Sequence, residues 1–327
     1  MTNGQLFHQV FISALRNKIS HKATLANTIT ELLDIDKDSV YRRLRGEVSF
    51  SFAEMSIIAR SLGISLDNIA GIKTRLTKPV QMNIIKHVNP SGVDYETLGV
   101  YVHSLKSIKD EPNTKILEAV NIIPIYLYQD YEYITRFYLF KWNQASSYGN
   151  ALPFHEVTIP ERLRIMQKQI CTYARHISSS YFVWDYLIIQ RLVTDIKYFV
   201  KVRLIQEEDV FRIKNDLTEF LANIENMAIK GKYEETGNEV SIFISDVDFD
   251  TNYSCLESKN LRLTLIRAYI LNAIVALDDE VFNETNAWIR SLQRMSTLIS
   301  VSGEKLRAIF FNRQREIIQT LEDVEME

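Results

Sequence analysis

The chain has 327 residues, 46% hydrophobic and 24% charged, with a formal net charge of −3, a soluble globular composition with material for two domains. Its two cysteines, Cys171 and Cys255, are too few and too far apart for a zinc cluster or a disulfide framework, and they fit a reducing cytoplasm. Six prolines and ten glycines are few, which favours helices over a turn-rich sandwich, so the expected class is mainly α.

Short helices open the chain. Leu6, Val10, Leu15 and Ile19 share one helical face, and "ATLANTITELL" carries Leu25, Ile29, Leu32 and Leu33 as the apolar side of a second helix. After the turn "DIDKD", Ile35 is placed to enter the core and Asp36 is a good N-cap for a third helix over 37–45, with Gly46 in the usual position after the last turn. "SFAE" reads as a capping box, Ser51 with Glu54, opening a helix through Met55, Ile58 and Leu62 that stops at Gly63. Ser65 then caps the final turn "LDNIAGI". Five helices in about seventy residues make a small bundle.

In this setting "LANTITELLDIDKDSVYRRLRGEVSFSFAEMSIIARSLGISLDNI" resembles the phage-repressor (Xre-like) helix-turn-helix family. The likeness covers about a fifth of the chain and departs from the family at Asp34, where glycine is usual; aspartate also tolerates a left-handed backbone. It implies a lambda-repressor-like DNA-binding fold whose third helix reads bases from its amino-terminal part. The residues support this independently. Val40 and Leu44, four apart, must face the core, so Lys37, Asp38, Tyr41, Arg42 and Arg45 share the outer faces. A helix of this width fits the major groove, where arginine bonds guanine bidentately and further cations bind phosphate. Base contacts are expected from Lys37, Asp38, Tyr41 and Arg42, and phosphate contacts from Arg45 and Arg43. Residues 1–78 hold eleven basic and seven acidic side chains, a net of +4, and the rest of the chain is then −7, which leaves one basic face for DNA.

"TRLTKPVQMNIIKHVNPSG" has a proline at each end and little periodicity, marking a junction over 76–92 between a domain of residues 1–75 and a larger helical domain over 93–327. Helices are expected in "DYETLGVYVHSLKSIKD", "IPIYLYQDYEYITRFYLFKWNQ", "PERLRIMQKQICTYARHIS", "VWDYLIIQRLVTDIKYFVKV" and "EEDVFRIKNDLTEFLANIENMAIKG". One β-hairpin is expected near 231–253, pairing "GKYEET" with the alternating "NEVSIFISDVDFDTNY". Two long helices follow, Glu257 to Leu277 and Asp279 to about Leu298, then a last helix after "ISVSGE". The apolar tract "LRLTLIRAYILNAIVAL" carries Arg262, Arg267 and Asn272 and reads as a buried helix, short of the ~20 apolar residues of a membrane span. No targeting segment is visible.

The second domain shows no His-x-x-x-His pair, Gly-rich phosphate loop, Gly-x-Ser-x-Gly elbow or Cys-His cluster, so neither an enzyme nor a cofactor is expected. Asp246, Asp248, Asp250, Asn252 and Glu257 have the spacing of an EF-hand-like calcium loop, but Thr251 stands where that loop needs glycine. A polar strand face running into a turn is the plainer reading. Tyr126, Tyr128, Tyr131, Tyr133, Phe137, Tyr138, Phe140 and Trp142 crowd one segment, as core or as the lining of a small-molecule or peptide pocket. The expectation is a cytoplasmic bacterial transcription regulator, a homodimer on an operator in double-stranded DNA, whose helical domain self-associates and answers to an effector. The rivals are a ligand- or peptide-sensing regulator with an aromatic pocket and a protein-interaction adaptor that does not read DNA.

Overall fold

The computed structural model describes residues 3–19, 21–62, 64, 66–70, 81–147, 151–259 and 261–322, in two units divided between Val80 and Gln81. The expected helix stop at Gly63, the cap at Ser65 and the stretch 76–80 of the expected junction lie outside the described residues.

The first unit contains α1 (Asn3–Lys18), α2 (Lys22–Leu33), α3 (Lys37–Leu44), α4 (Phe52–Leu62) and α5 (Leu66–Ile69). Their buried faces meet in one core. Phe11, Ile12 and Leu15 come from α1, Leu25, Ala26 and Ile29 from α2, Val40 and Leu44 from α3, and Met55, Ile58 and Ala59 from α4, with Phe50 between helices. The inward face of α1 differs from the expected one: Leu6 and Val10 are 55% and 41% exposed, while His8, Phe11, Ile12 and Leu15 form the i, i+3, i+4, i+7 stripe. The backbone N–H of Phe50 donates to His8 Nε2 at 3.2 Å, and Phe11 meets the Phe50 ring edge-on, so this polar anchor and the larger aromatic residue set the rotation of the helix. Asp34 adopts the left-handed region at φ 51°, turning the chain from α2 into α3.

The second unit corrects the expected class. It is α/β, built on an eight-stranded mixed sheet rather than on helices with a single hairpin. Its strands are β1 (Gln81–Asn83), β2 (Lys115–Val120), β3 (Ser179–Asp185), β4 (Glu239–Ser245), β5 (Tyr253–Glu257), β6 (Arg262–Ala268), β7 (Asn272–Ala276) and β8 (Thr297–Leu298). They lie in the order β1-β7-β6-β5-β2-β3-β4-β8. β2, β3 and β4 are parallel, with Val120 opposite Trp184 and Trp184 opposite Ile244, and every other pairing is antiparallel. The helices are α6 (Gly92–Ile108), α7 (Ile125–Tyr128), α8 (Glu132–Ser146), α9 (Glu161–Arg175), α10 (Ile188–Lys201), α11 (Glu207–Lys230), α12 (Asp279–Arg294) and α13 (Glu304–Gln319).

Alternation along the strands splits the core. Ile116, Val120, Phe182, Trp184, Val240, Ile242, Leu256 and Leu263 face the layer containing α6, α8, α9, α10, α11 and α13. Leu117, Ala119, Val183 and Cys255 point the other way, against Phe282, Ile289 and Leu292 of α12. Because both faces are covered, β2 and β3 carry no clean polar alternation, and their sequences look like helix cores.

That coverage explains the corrections by element. The helix expected over 257–277 is the end of β5 followed by the antiparallel pair β6 and β7. Its turn runs through Tyr269 at φ 59°, where no glycine or asparagine marks the reversal. The helix expected from Val183 begins only at Ile188, β3 taking its first residues. The expected hairpin with 231–236 reduces to one bridge, Lys232 with Glu239; β4 pairs instead with β3 and β8. Within the expected junction, 81–83 form β1 and Ser91 caps α6 in a reciprocal capping box with Asp94. No helix among the described residues is long and apolar enough to cross a membrane.

Candidate nucleic-acid interface

Helix α3 is set by its ends. Asp36 accepts from Ser39 N–H through Oδ1 at 2.8 Å and from the Ser39 hydroxyl through Oδ2 at 2.7 Å, and these bonds hold its carboxyl below the ordinary pKa. Gly46 follows at φ 80° with open space around it, where a left-handed backbone ends the helix. Eight residues span about 12 Å, and the buried Val40 and Leu44 fix which face looks outward.

Lys37, Asp38, Arg42 and Arg45 are exposed on that outward side, while Tyr41 is half-buried against the core. The Arg42 and Arg45 side chains are 59% and 57% exposed and converge on one carboxylate, Glu47. Arg45 holds it through both Nε and Nη2, at 2.6 and 3.2 Å, and Arg42 approaches to 3.7 Å.

Arg43 has different work. Its side chain is 19% exposed; Nη2 donates to Glu54 Oε1 at 2.8 Å and Nη1 to the Ser39 carbonyl at 3.3 Å. Glu54 also accepts from Ser51 N–H at 2.7 Å, and Ser51 Oγ accepts from Glu54 N–H at 3.2 Å, closing the capping box of α4. Burial acts to raise the Glu54 pKa, but the Ser51 and Arg43 bonds outweigh it and hold the carboxylate charged. Arg43 therefore ties α3 to the start of α4.

Two cations join this face that the sequence reading did not single out. Arg16 Nη2 donates to the Leu44 carbonyl at 2.9 Å, closing the C-terminal end of α3. With Lys22 at the start of α2, Tyr41 and Arg45, it surrounds a concavity of about 210 Å³ floored by Ile19, Leu25 and Leu44. Nothing in the spacing of residues 16, 22 and 45 announces their meeting, which comes from the packing of α1, α2 and α3 around one core.

The other singled-out residues fare otherwise. Asn252 is buried, its Oδ1 accepting from the N–H groups of Asn121 and Ile122 at 2.9 and 3.0 Å. Glu257 lies in β5 and pairs with Arg262 at 3.2 Å. Asp246, Asp248 and Asp250 are exposed beyond β4. The strand thus divides the residues that have the calcium-loop spacing, and among the described residues no three His, Cys, Asp or Glu are placed to hold a metal ion. Of the eight aromatics between 126 and 142, six are buried in the core and Tyr131 and Tyr133 are half-buried against it. Tyr128 stacks on Tyr138 at 4.5 Å between ring centres. No known protein family, curated protein or solved structure matches the chain.

Proposed function

We propose that residues 1–75 bind double-stranded DNA in a sequence-specific manner, with α3 in the major groove, and that the chain is a cytoplasmic transcription regulator with no catalytic role. The observation that carries the reading is the outward face of α3: Lys37, Arg42 and Arg45 exposed, the buried Val40 and Leu44 behind them, and Arg16 and Lys22 beside a concavity at its end. In this reading Lys37, Asp38, Tyr41 and Arg42 meet base edges, while Arg45, Arg16 and Lys22 meet phosphate. Arg43 contributes through its hold on Glu54 rather than through DNA. One short helix reads few base pairs, so a homodimer with two such helices about 34 Å apart is the arrangement proposed on an inverted repeat.

Selection of bound sequences from a random duplex pool tests this directly. An enriched inverted repeat is expected, and Arg42→Ala with Arg45→Ala should lower affinity for it about 10–100-fold with the fold intact. Unchanged affinity at moderate salt would sink the assignment. A pool with no enrichment and only weak, salt-insensitive binding would favour a protein-interaction adaptor.

A further inference from the structure

The parallel strands β2 and β3 end side by side, and outside their carboxyl ends lies a cleft of about 470 Å³ between the loop after β2, α8, α10 and Asp250. Open α/β sheets place small-molecule sites in this position, and the volume falls within the range of such sites.

Its walls carry charge of both signs. Lys141 of α8 is ion-paired with Asp195 of α10, and Asp250 is exposed on the rim. Arg191 Nη1 lies 2.7 Å from Oδ2 of the fully buried Asp185, yet that contact is not aligned as a hydrogen bond, and both atoms are buried with no hydrogen-bond partner. Asn121 is 7% exposed. Its Nδ2 donates to the Phe249 carbonyl at 2.9 Å, but its Oδ1 is a buried acceptor with no donor. Ile122, Tyr138 and Leu192 supply an apolar side.

An anion alone would face Asp195 and Asp250, and a cation alone would face Lys141 and Arg191. A ligand carrying both charges satisfies both sets. We propose that this cleft binds a free α-amino acid with an apolar side chain. Its carboxylate meets Lys141 and the exposed part of the Arg191 side chain, its ammonium meets Asp250, and its side chain lies on Ile122, Tyr138 and Leu192. The site belongs wholly to the second unit and stands whether or not residues 1–75 read DNA.

The test is calorimetric titration of the full chain with L-leucine and L-phenylalanine, beside N-acetyl-L-leucine, which lacks the ammonium, and L-leucinamide, which lacks the carboxylate. At least one amino acid should bind with a Kd below about 1 mM, and each blocked derivative should bind at least about tenfold more weakly. Lys141→Gln and Asp250→Asn should weaken binding by a similar factor with thermal melting unchanged. Arg191 is left in place because removing it would strand the buried Asp185 carboxylate. No saturable heat from either amino acid up to about 10 mM would overturn the proposal. So would blocked derivatives that bind equally well, or well-folded variants that bind as the parent does.

Discussion

Glu47 illustrates how much of the chemistry of the proposed DNA-binding face is decided by single side chains. It stands against both Arg42 and Arg45, and its bond to Arg45 holds its carboxyl below the ordinary pKa. On the proposed interface, phosphate displaces this carboxylate to reach Arg45. An exposed pair is worth little to the fold, so Glu47→Gln should leave stability unchanged while tightening DNA binding a few-fold at low salt; mobility-shift titrations at two salt concentrations would read the effect, and weaker binding would count against the proposed face. The six residues chosen from the sequence for this face thus divide in space. Lys37, Asp38, Arg42 and Arg45 are offered outward and Tyr41 lines the concavity, but the Arg43 guanidinium is spent on Glu54, a contact between helices that a run of adjacent arginines does not reveal.

At the scale of elements, what could be read beforehand follows from which signals are local. Asp36, Ser51 with Glu54, and Gly46 act within four residues of where they stand, so the limits of α3 and the start of α4 were legible, as was the tolerance of Asp34 for a left-handed turn. β2 and β3 were not, because their character comes from partners far along the chain and from α12 covering the second face, which erases alternation; β6 pairs with its chain neighbours β5 and β7, but no glycine or asparagine marks its turn through Tyr269. Asn252 belongs to the same class of long-range residue. The carboxylate-rich spacing around it suggested a calcium loop; in the fold its amide fastens the loop after β2 to the start of β5, accepting from two backbone N–H groups and donating to the Ile122 carbonyl at 2.8 Å. Asn252→Ala should cost about 2–4 kcal/mol, the range expected when buried backbone donors lose their acceptor, and urea unfolding monitored by circular dichroism would measure it. A cost near zero would mean that water replaces the amide.

For the molecule as a whole, two buried groups in the second unit set opposing responses to pH. His87 lies against Trp142 with both ring nitrogens buried and without a hydrogen-bond partner. Burial lowers its pKa from 6.5 to about 4, with Asp94 opposing and Arg267 adding to the shift. Between those values the unfolded chain takes up a proton that the folded chain refuses, so stability falls as pH drops through that window, by up to about 3 kcal/mol. Glu118 behaves in reverse. Burial raises its pKa above 4.5 despite hydrogen bonds from Ser254 and Tyr126, so its contribution is lost as pH rises from the ordinary value through the raised one. Urea midpoints from pH 4 to 8 should show His87→Phe flattening the acid limb and Glu118→Gln flattening the opposite one; an unaltered acid limb in the first variant would exclude His87 as its source. The long reach of the sheet bears also on the order in which the protein is made. Ile85 N–H donates to Asn272 Oδ1, 187 residues onward, beside the pairing of β1 with β7. At ribosomal speed that interval lasts about 10–40 s, during which the first unit has all its core residues in hand while β1 still lacks its neighbour. High contact order makes such a sheet slow to close, so the nascent chain passes through a stage with its amino-terminal helices folded and its sheet still open.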